Sequence, residues 1–239
     1  MKIAVIAAMA QEIGPLRAKA DLLNKVQIGK VMIEEAVLDG QELLLVEGGI
    51  GKVNAAVATT ILIERYRPEL IINIGSAGAF DHNLKVGDVV VATEFKYGDV
   101  DATCFGYAKG QVPQMPAAYP MAAKWLEIVI QTIASHEFSY AIDRGLVLTL
   151  DSFMSSHQRV EQVQHDFPDV KVSDMEGLAI VQAADQYGIP VIGIKAVSDI
   201  AGEEEGSTNS FTDNLHYAAD TSSHFAALFL RQLTSLALT

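Results

Sequence analysis

Three carboxylates, Glu12, Glu176 and Asp199, stand out because each lies shortly after an apolar run of the sequence. Such runs are typical of buried strands, and ligands bind beyond the carboxyl ends of the strands in an open α/β sheet. Carboxyl groups that meet at one sheet edge can act as acid and base on the same bond. The sequence therefore predicts acid–base chemistry at a site that these three residues share.

Three methionines lie in the same strand-end segments, namely Met9, Met154 and Met175. Flexible thioether side chains commonly fill gaps in an ordinary core. If these methionines line a cleft instead, their apolar surface raises the pKa of one of the neighbouring carboxyl groups. A pair of carboxyl groups with different pKa values is suited to acid–base work.

Each of these signals also has a purely structural interpretation. Glu12 fits the first turn of a helix, where a carboxylate interacts favourably with the helix dipole. Ser173 and Glu176 fit a capping box, and Asp199 fits the N-cap of a turn. The segment Gly75-Ser-Ala-Gly78 predicts a tight strand exit, which is either an ordinary turn or a close approach to a ligand. The residues alone leave both interpretations open.

Several familiar site motifs are absent from the sequence. No G-x-G-x-x-G follows the first apolar run, and neither a G-x-x-x-x-G-K-[ST] loop nor a G-x-S-x-G motif occurs. Cys104 is the only cysteine. The histidines lack metal-ligand spacing; they are His82, His136, His157, His165, His216 and His224. We therefore expect chemistry without a metal or a cofactor.

The charge balance limits the possible partners. Among 239 residues, 17 Lys and Arg face 30 Asp and Glu, which gives a formal net charge of −13. This charge repels phosphate backbones and anionic lipids, and the basic residues are scattered rather than clustered. No apolar run approaches the roughly 20 residues of a membrane-spanning helix. The sequence predicts no nucleic-acid or membrane partner and a cytoplasmic location.

The elements that would position the carboxylates follow from the hydrophobic pattern. Continuous apolar runs predict strands buried on both faces: Ile3–Ile6, Leu43–Val46, Leu70–Ile74, Val89–Ala92, Gly145–Leu150 and Val191–Val197. Segments with helical spacing alternate with them: Lys52–Arg65, Ala118–Ser135, Ser156–Asp166, Glu176–Tyr187 and Asp213–Leu236. This alternation predicts an α/β fold with a mostly parallel sheet between helices, in a single domain over residues 1–239.

Several motifs along nearly the whole chain carry a family resemblance. They are Met1-Lys-Ile, Ala8-Met9 with Glu12, Gly48-Gly-Ile-Gly-Lys-Val53, Ile72-Asn-Ile-Gly-Ser-Ala-Gly78, Leu84-Lys-Val-Gly-Asp88, Phe105-Gly-Tyr107, Gly110-Gln-Val-Pro113, Asp174-Met-Glu176 and Ala196-Val-Ser-Asp199. Together they resemble the 5′-methylthioadenosine/S-adenosylhomocysteine nucleosidases of the nucleoside phosphorylase superfamily. The resemblance implies a three-layer α/β/α fold with a central mixed, twisted sheet that forms a partial barrel.

The resemblance also implies an activity and a set of catalytic roles. It implies a homodimer that hydrolyses the N-glycosidic bond and releases adenine, in methionine salvage and methyl-cycle recycling. Glu12 would activate water towards C1′ of the ribose, and Asp199 would supply a proton at N7 of adenine. Glu176 would hold the ribose hydroxyls, with Met175 beside it. Ser198 would belong to the same substrate-binding set.

The remaining substrate contacts are implied in the same way. Phe153 would stack on adenine, while the Met154 backbone reads the edge of the base. Ser76 and Gly78 would line the side of the water and the ribose.

A further group of apolar side chains is implied around the 5′ end of the substrate. Met9, Ile50 and Phe211 would form the pocket for the 5′-thio substituent. Phe105 and Tyr107 would reach this site from the partner subunit, which would account for two aromatic residues in an otherwise polar loop.

The chain departs from the family pattern at two places that bear on function. Lys195 stands where relatives commonly have Arg, and an ammonium group lacks the bidentate fork of a guanidinium. The run Glu203-Glu-Glu205 adds negative charge before Phe211.

Three alternative activities remain open on the sequence alone. A nucleoside phosphorylase would need a cationic cradle for phosphate. Related phosphorylases tend to carry Arg at the position of Asn73. A hydrolase of aminodeoxyfutalosine and a catalytically silent adenosine-binding protein are further alternatives. The sequence does not rank methylthioadenosine, S-adenosylhomocysteine and 5′-deoxyadenosine as substrates.

Overall fold

The computed structural model describes residues 1–202 and 207–237. Ten strands of these residues belong to one mixed sheet: β1 Ile3–Ala7, β2 Asp21–Ile28, β3 Val31–Leu38, β4 Gln41–Glu47, β5 Leu70–Ala79, β6 Val89–Tyr97, β7 Tyr119–Pro120, β8 Ile142–Thr149, β9 Val170–Asp174 and β10 Val191–Ile200. The α-helices are α1 Ala10–Arg17, α2 Lys52–Tyr66, α3 Ala123–Ala134, α4 His157–Asp166, α5 Gly177–Asp185 and α6 Ser207–Ala237. A 3₁₀ turn spans Thr103–Phe105.

The strand β1 lies between β5 and β4 in the sheet. Its sequence Ile-Ala-Val-Ile-Ala is buried along its whole length. It pairs in parallel with β4 and β5, so that Ile3 lies opposite both Leu43 and Leu70. A strand that is apolar on both faces requires helices on both sides of the sheet.

Five strands close into a ring in the order β5, β10, β6, β8 and β9. The strand β10 pairs in parallel with β5 and antiparallel with β6. The ring is completed where Gly78 of β5 lies opposite Ser173 of β9. Alternate side chains of all five strands pack together inside it, among them Ala77, Val90, Val147, Val172 and Val197.

Helices cover both faces of the sheet. Apolar side chains of α1, α3 and α6 pack on one face through a large buried cluster. The other face is covered by α2 and α5, whose side chains pack against β1, β3 and β4. The expected three-layer α/β/α fold with a mixed, twisted sheet is therefore confirmed. No helix in the described part of the chain has the length and hydropathy needed to cross a membrane.

The structure corrects several sequence-based expectations about the elements. The sheet is not mostly parallel, because β2 and β3 form an antiparallel hairpin beside β4. The segment Gly75–Gly78 is not a strand exit, because β5 continues to Ala79. Asp199 is likewise no N-cap, because it lies within β10. The helix expected from Ala118 begins at Ala123, since the chain first pairs with β6 as β7.

Candidate active site

A cleft of about 310 Å³ opens where β5, β9 and β10 end and α1 begins. Nearly all the predicted site residues line it: Met9, Glu12, Ile50, Ser76, Gly78, Phe153, Met154, Met175, Glu176, Ser198, Asp199 and Phe211. Glu12, Glu176 and Asp199 are all largely buried. The fold thus brings the three carboxylates to one site.

Glu12 is fixed by four hydrogen bonds at the start of α1. Ser76 donates to Oε1 from its backbone N–H at 2.8 Å and from its hydroxyl at 2.7 Å. The N–H groups of Ala8 and Met9 donate to Oε2, both at 3.1 Å. The carboxylate therefore accepts hydrogen bonds both from β5 and from the residues at the start of α1. Its position in the first turn of the helix is thus compatible with a role in the site.

The close approach of Glu12 to β5 depends on Gly75. This residue has a φ of +151°, in the region that favours glycine, and a Cβ atom there would lie 2.8 Å from Glu12 Oε1. A side chain at this position would displace the carboxylate.

Asp199 lies on β10, the strand that pairs with β5. The Ser198 hydroxyl donates to its Oδ1 at 2.7 Å, and the carboxylate is buried. A Cβ atom on Gly78 would lie 3.2 Å from Asp199 Oδ2. The small residue at 78 therefore keeps space beside the carboxylate.

Glu176 follows β9 and contacts the start of α2. The N–H of Gly51 donates to Glu176 Oε1 at 2.7 Å. Burial and the nearby charge of Asp174 raise the pKa of Glu176 to about 7, against the opposing effects of the Lys195 charge and the Gly51 hydrogen bond. Glu176 thus changes charge near neutral pH.

The raised pKa confirms one expectation and the helix start corrects another. The predicted apolar surroundings do raise the pKa of one site carboxyl group. The predicted capping box of Ser173 and Glu176 is wrong, because Ser173 lies in β9 and Glu176 is itself the N-cap of α5. Asp174 caps this helix instead, since the N–H of Gly177 donates to its Oδ2 at 3.0 Å.

A buried ion pair lies beneath the cleft. Lys195 Nζ is 2.8 Å from Asp174 Oδ2, and both side chains are almost completely buried. Burial alone would lower the pKa of Lys195, but the charges of Asp174 and Glu176 outweigh it and leave this pKa above its usual value. Thr149 donates to the other oxygen of Asp174 at 2.7 Å. Lys195 therefore offsets part of the negative charge of the site.

Aromatic and apolar side chains form the mouth of the cleft. The Phe153 and Phe211 rings meet edge to face, with centroids 5.9 Å apart. Phe153 and Ile50 remain exposed by 37% and 51%, although both line the cleft. Such exposed apolar surface is available to contact a bound molecule or another chain.

Two predicted site residues do not line the cleft. Phe105 is 80% exposed in the 3₁₀ turn, and Tyr107 follows it in the same loop. Their expected contact with the site of a partner subunit stays a prediction. The Glu203–Glu205 run lies outside the described residues.

The cleft also contains residues that the sequence had not assigned to substrate binding: Ala8, Ala77, Ser152, Ser173, Asp174 and Thr212. Most of them directly adjoin a predicted site residue in the sequence, so their place beside those motifs was the signal that could have identified them. Over residues 1–202 and 207–237, no three His, Cys, Asp or Glu side chains are arranged to hold a metal ion.

Comparisons with known proteins agree with this fold and site. The family model of the phosphorylase superfamily matches residues 2–231. A 5′-methylthioadenosine/S-adenosylhomocysteine nucleosidase of Anoxybacillus flavithermus is 43% identical over 233 residues, covering 98% of this chain and 99% of the relative.

Solved structures give the same result. The nucleosidase of Neisseria meningitidis, in complex with methylthio-immucillin-A, has a TM-score of 0.92 at 40% identity and covers 96% of this chain and 98% of its own. That of Colwellia psychrerythraea, in complex with adenine, has a TM-score of 0.92 at 38% identity, covering 98% and 96%. The chain therefore belongs to the phosphorylase superfamily and, within it, to the 5′-methylthioadenosine/S-adenosylhomocysteine nucleosidase family.

Proposed function

We propose that the protein is a nucleosidase that hydrolyses the N-glycosidic bond of 5′-methylthioadenosine and S-adenosylhomocysteine, releasing adenine and the 5-thioribose product. The observation that carries this proposal is the meeting of Glu12, Glu176 and Asp199 in one partly apolar cleft. Relatives that match 98% of this chain are named 5′-methylthioadenosine/S-adenosylhomocysteine nucleosidase. The metabolic context that we propose is methionine salvage and methyl-cycle recycling.

Glu12 acts as the general base in this proposal. Its position is supported by the four donors that fix both carboxylate oxygens, including two from Ser76. A base held in one orientation can direct a water molecule at C1′ while the bond to adenine breaks through an oxocarbenium-like transition state. The attacking water loses its proton to Glu12 and becomes the new hydroxyl at C1′.

Asp199 assists the departure of adenine. It delivers or shares a proton at N7, which makes the base a better leaving group. Its burial and the hydrogen bond from Ser198 support this role, because a fixed and buried carboxyl group interacts more strongly than one in water. The two carboxylates thus divide base and acid functions.

Glu176 binds the ribose hydroxyls in the proposal. Its pKa of about 7 implies that it is largely ionised above neutral pH, where its oxygens accept hydrogen bonds most strongly. Below this pH the protonated form accepts less well, so substrate affinity falls.

The other lining residues fit the parts of the substrate. Phe153 and Met154 bind adenine, while Ser76, Gly78, Met175 and Ser198 surround the ribose and the water. Met9, Ile50 and Phe211 hold the 5′-thio substituent. All of these residues line the one cleft, which supports the assignment.

Hydrolysis fits the cleft better than phosphorolysis does. None of the described residues that line the cleft is Lys or Arg. Asn73 is buried, with its Nδ2 donating to the Ile6 carbonyl, and Lys195 is paired with Asp174. A phosphate ion would therefore meet three carboxylates without a cationic cradle at the surface.

The proposal also covers the oligomeric state, the location and the domain organisation of the protein. We propose a cytoplasmic homodimer in which Phe105 and Tyr107 complete the neighbouring site. The exposure of Phe105 in a loop supports this arrangement. The whole chain is proposed to form one domain, since strands from its start and its last third share one sheet.

Adenine release tests the catalytic assignment. General acid–base catalysis contributes about 10²–10⁴-fold, so Glu12→Gln and Asp199→Asn should each lower turnover of methylthioadenosine at least a hundredfold. Asp39→Asn is the control, because it removes a carboxylate between β3 and β4 that does not line the cleft. Near-native turnover of either cleft variant would remove that residue from the mechanism.

A further inference from the structure

The start of α2 lacks a cap of its own. Its N-cap residue is Gly51, which has no side chain to accept a hydrogen bond from the first free N–H groups of the helix. Carboxylates from distant parts of the chain accept them instead. Glu176 accepts from the Gly51 N–H, and Asp151 Oδ1 accepts from the Lys52 N–H at 2.9 Å.

Asp151 is itself held in place by a small polar network. Its backbone N–H donates to Asp99 Oδ2 at 2.9 Å. The other oxygen of Asp99 pairs with the ammonium group of Lys52, which also lies 4.6 Å from the centre of the Tyr97 ring. Asp151 and Lys52 are thus joined twice, once directly and once through Asp99.

This arrangement connects two walls of the cleft that are far apart in the sequence. Asp151 directly precedes Ser152, Phe153 and Met154, which line one wall. Lys52 lies two residues after Ile50, which lines the other. The Ile50 carbonyl also accepts a hydrogen bond from Asn54 of α2 at 2.7 Å, so the position of Ile50 follows that of the helix start.

We propose that Asp151 is a positioning residue that fixes the distance between the Ile50 wall and the Phe153 wall and thereby tunes affinity for the 5′ substituent of the nucleoside. The inference rests on the proposed function, in which Ile50 contacts that substituent. Asp151 does not itself line the cleft. It acts by holding the Ile50 segment against the segment that binds adenine.

The fold leaves Asp151 open to substitution. The residue is exposed, so replacing it creates no buried cavity and no unpaired buried charge. Asp151→Ala removes the acceptor for the Lys52 N–H. In Asp151→Asn the side-chain oxygen can still accept this bond, although the charge is lost. The pair therefore separates the hydrogen bond from the charge.

The test compares two substrates that differ only at the 5′ position. KM and kcat are measured for methylthioadenosine and for 5′-deoxyadenosine with the wild-type protein, Asp151→Ala and Asp151→Asn. For Asp151→Ala we expect the ratio of the two KM values, methylthioadenosine over 5′-deoxyadenosine, to rise about fivefold, the size typical of a lost helix cap. For Asp151→Asn the ratio should return to near the wild-type value. The control Asp39→Asn removes a charge elsewhere and should leave the ratio unchanged.

Other outcomes overturn the inference. An equal rise in both KM values would mean that Asp151 has only a general structural role, and unchanged values would mean that it does not position Ile50. If the wild-type protein releases no adenine, the proposed function is wrong. In that case the ratio of the dissociation constants of the two nucleosides, measured by calorimetry, replaces the ratio of KM values and tests the inference separately.

Discussion

The charge of Glu176 should make the protein less stable as the pH rises through neutrality. Burial raises the pKa of this carboxyl group from 4.5 to about 7, so the folded protein holds the proton that the unfolded chain releases. A raised pKa contributes stability that is fully present below about pH 4.5 and is lost as the pH rises through about 7. Glu176→Gln removes the charge but keeps an oxygen that can accept the Gly51 N–H.

The expected magnitude follows from the shift. About 2.5 pKa units at 1.36 kcal/mol each correspond to about 3 kcal/mol when the titration is complete. Most of this loss, about 2–3 kcal/mol, falls between about pH 5 and about pH 8, and the small remainder occurs near pH 5. Relative to the wild type, Glu176→Gln should therefore gain about 2–3 kcal/mol of unfolding free energy over this range.

Urea unfolding at these two pH values measures the effect. The free energy of unfolding is obtained for the wild type, for Glu176→Gln and for Glu127→Gln, a control on the exposed surface of α3. Other titrating groups cancel in the comparison between variants at each pH. The control should track the wild type at both values.

A pH-independent difference between Glu176→Gln and the wild type would refute this reasoning. It would mean that Glu176 is not penalised for ionising in the folded state. A Glu176→Gln variant less stable than the wild type at the higher pH would also refute it, because it would show that the ionised carboxylate stabilises the site. We expect the stabilised variant to bind nucleosides more weakly, since it loses the acceptor charge for the ribose.

Three further substitutions test the geometry of the site. Ser76→Ala removes one of the two Ser76 donors to Glu12, so kcat should fall about tenfold with little change in melting temperature; an unchanged kcat would show that this bond does not orient the base. Gly75→Ala places a Cβ atom 2.8 Å from Glu12 Oε1, so activity should fall and the free energy of unfolding by denaturant should drop by about 1–3 kcal/mol. A variant as active as the wild type would contradict the geometry. Lys195→Met leaves the Asp174 carboxylate buried without its cationic partner, which should lower the unfolding free energy by about 3–5 kcal/mol. Adding Asp174→Asn should restore part of that stability, and a double variant no more stable than Lys195→Met would argue against the ion pair.

The sequence predicted the buried strands because their signal is local. The apolar runs that contain Ile3–Ile6 and Val191–Val197 form β1 and β10, as expected. It did not predict β2, most of whose residues are exposed, so no apolar run marks Asp21–Ile28. That strand is held by pairing with β3, which is a nonlocal interaction.

The sequence singled out the three carboxylates because each lies close to the end of a recognisable apolar run. The sequence placed Glu12, Glu176 and Asp199 at one sheet edge, and the cleft contains all three. It could not identify the pair of Asp174 and Lys195, because it depends on two strands of the closed ring coming together. The alternative of a Ser173 capping box failed for a related reason, since pairing with β5 keeps Ser173 in a strand.

The identity of the sugar product tests the central claim most directly. Methylthioadenosine is incubated with the protein in buffer with and without inorganic phosphate, and the sugar is identified by mass spectrometry. Hydrolysis by water predicts adenine and free 5-methylthioribose in both buffers, at equal rates. Adenine release that requires phosphate, with a sugar 1-phosphate as the product, would contradict the account.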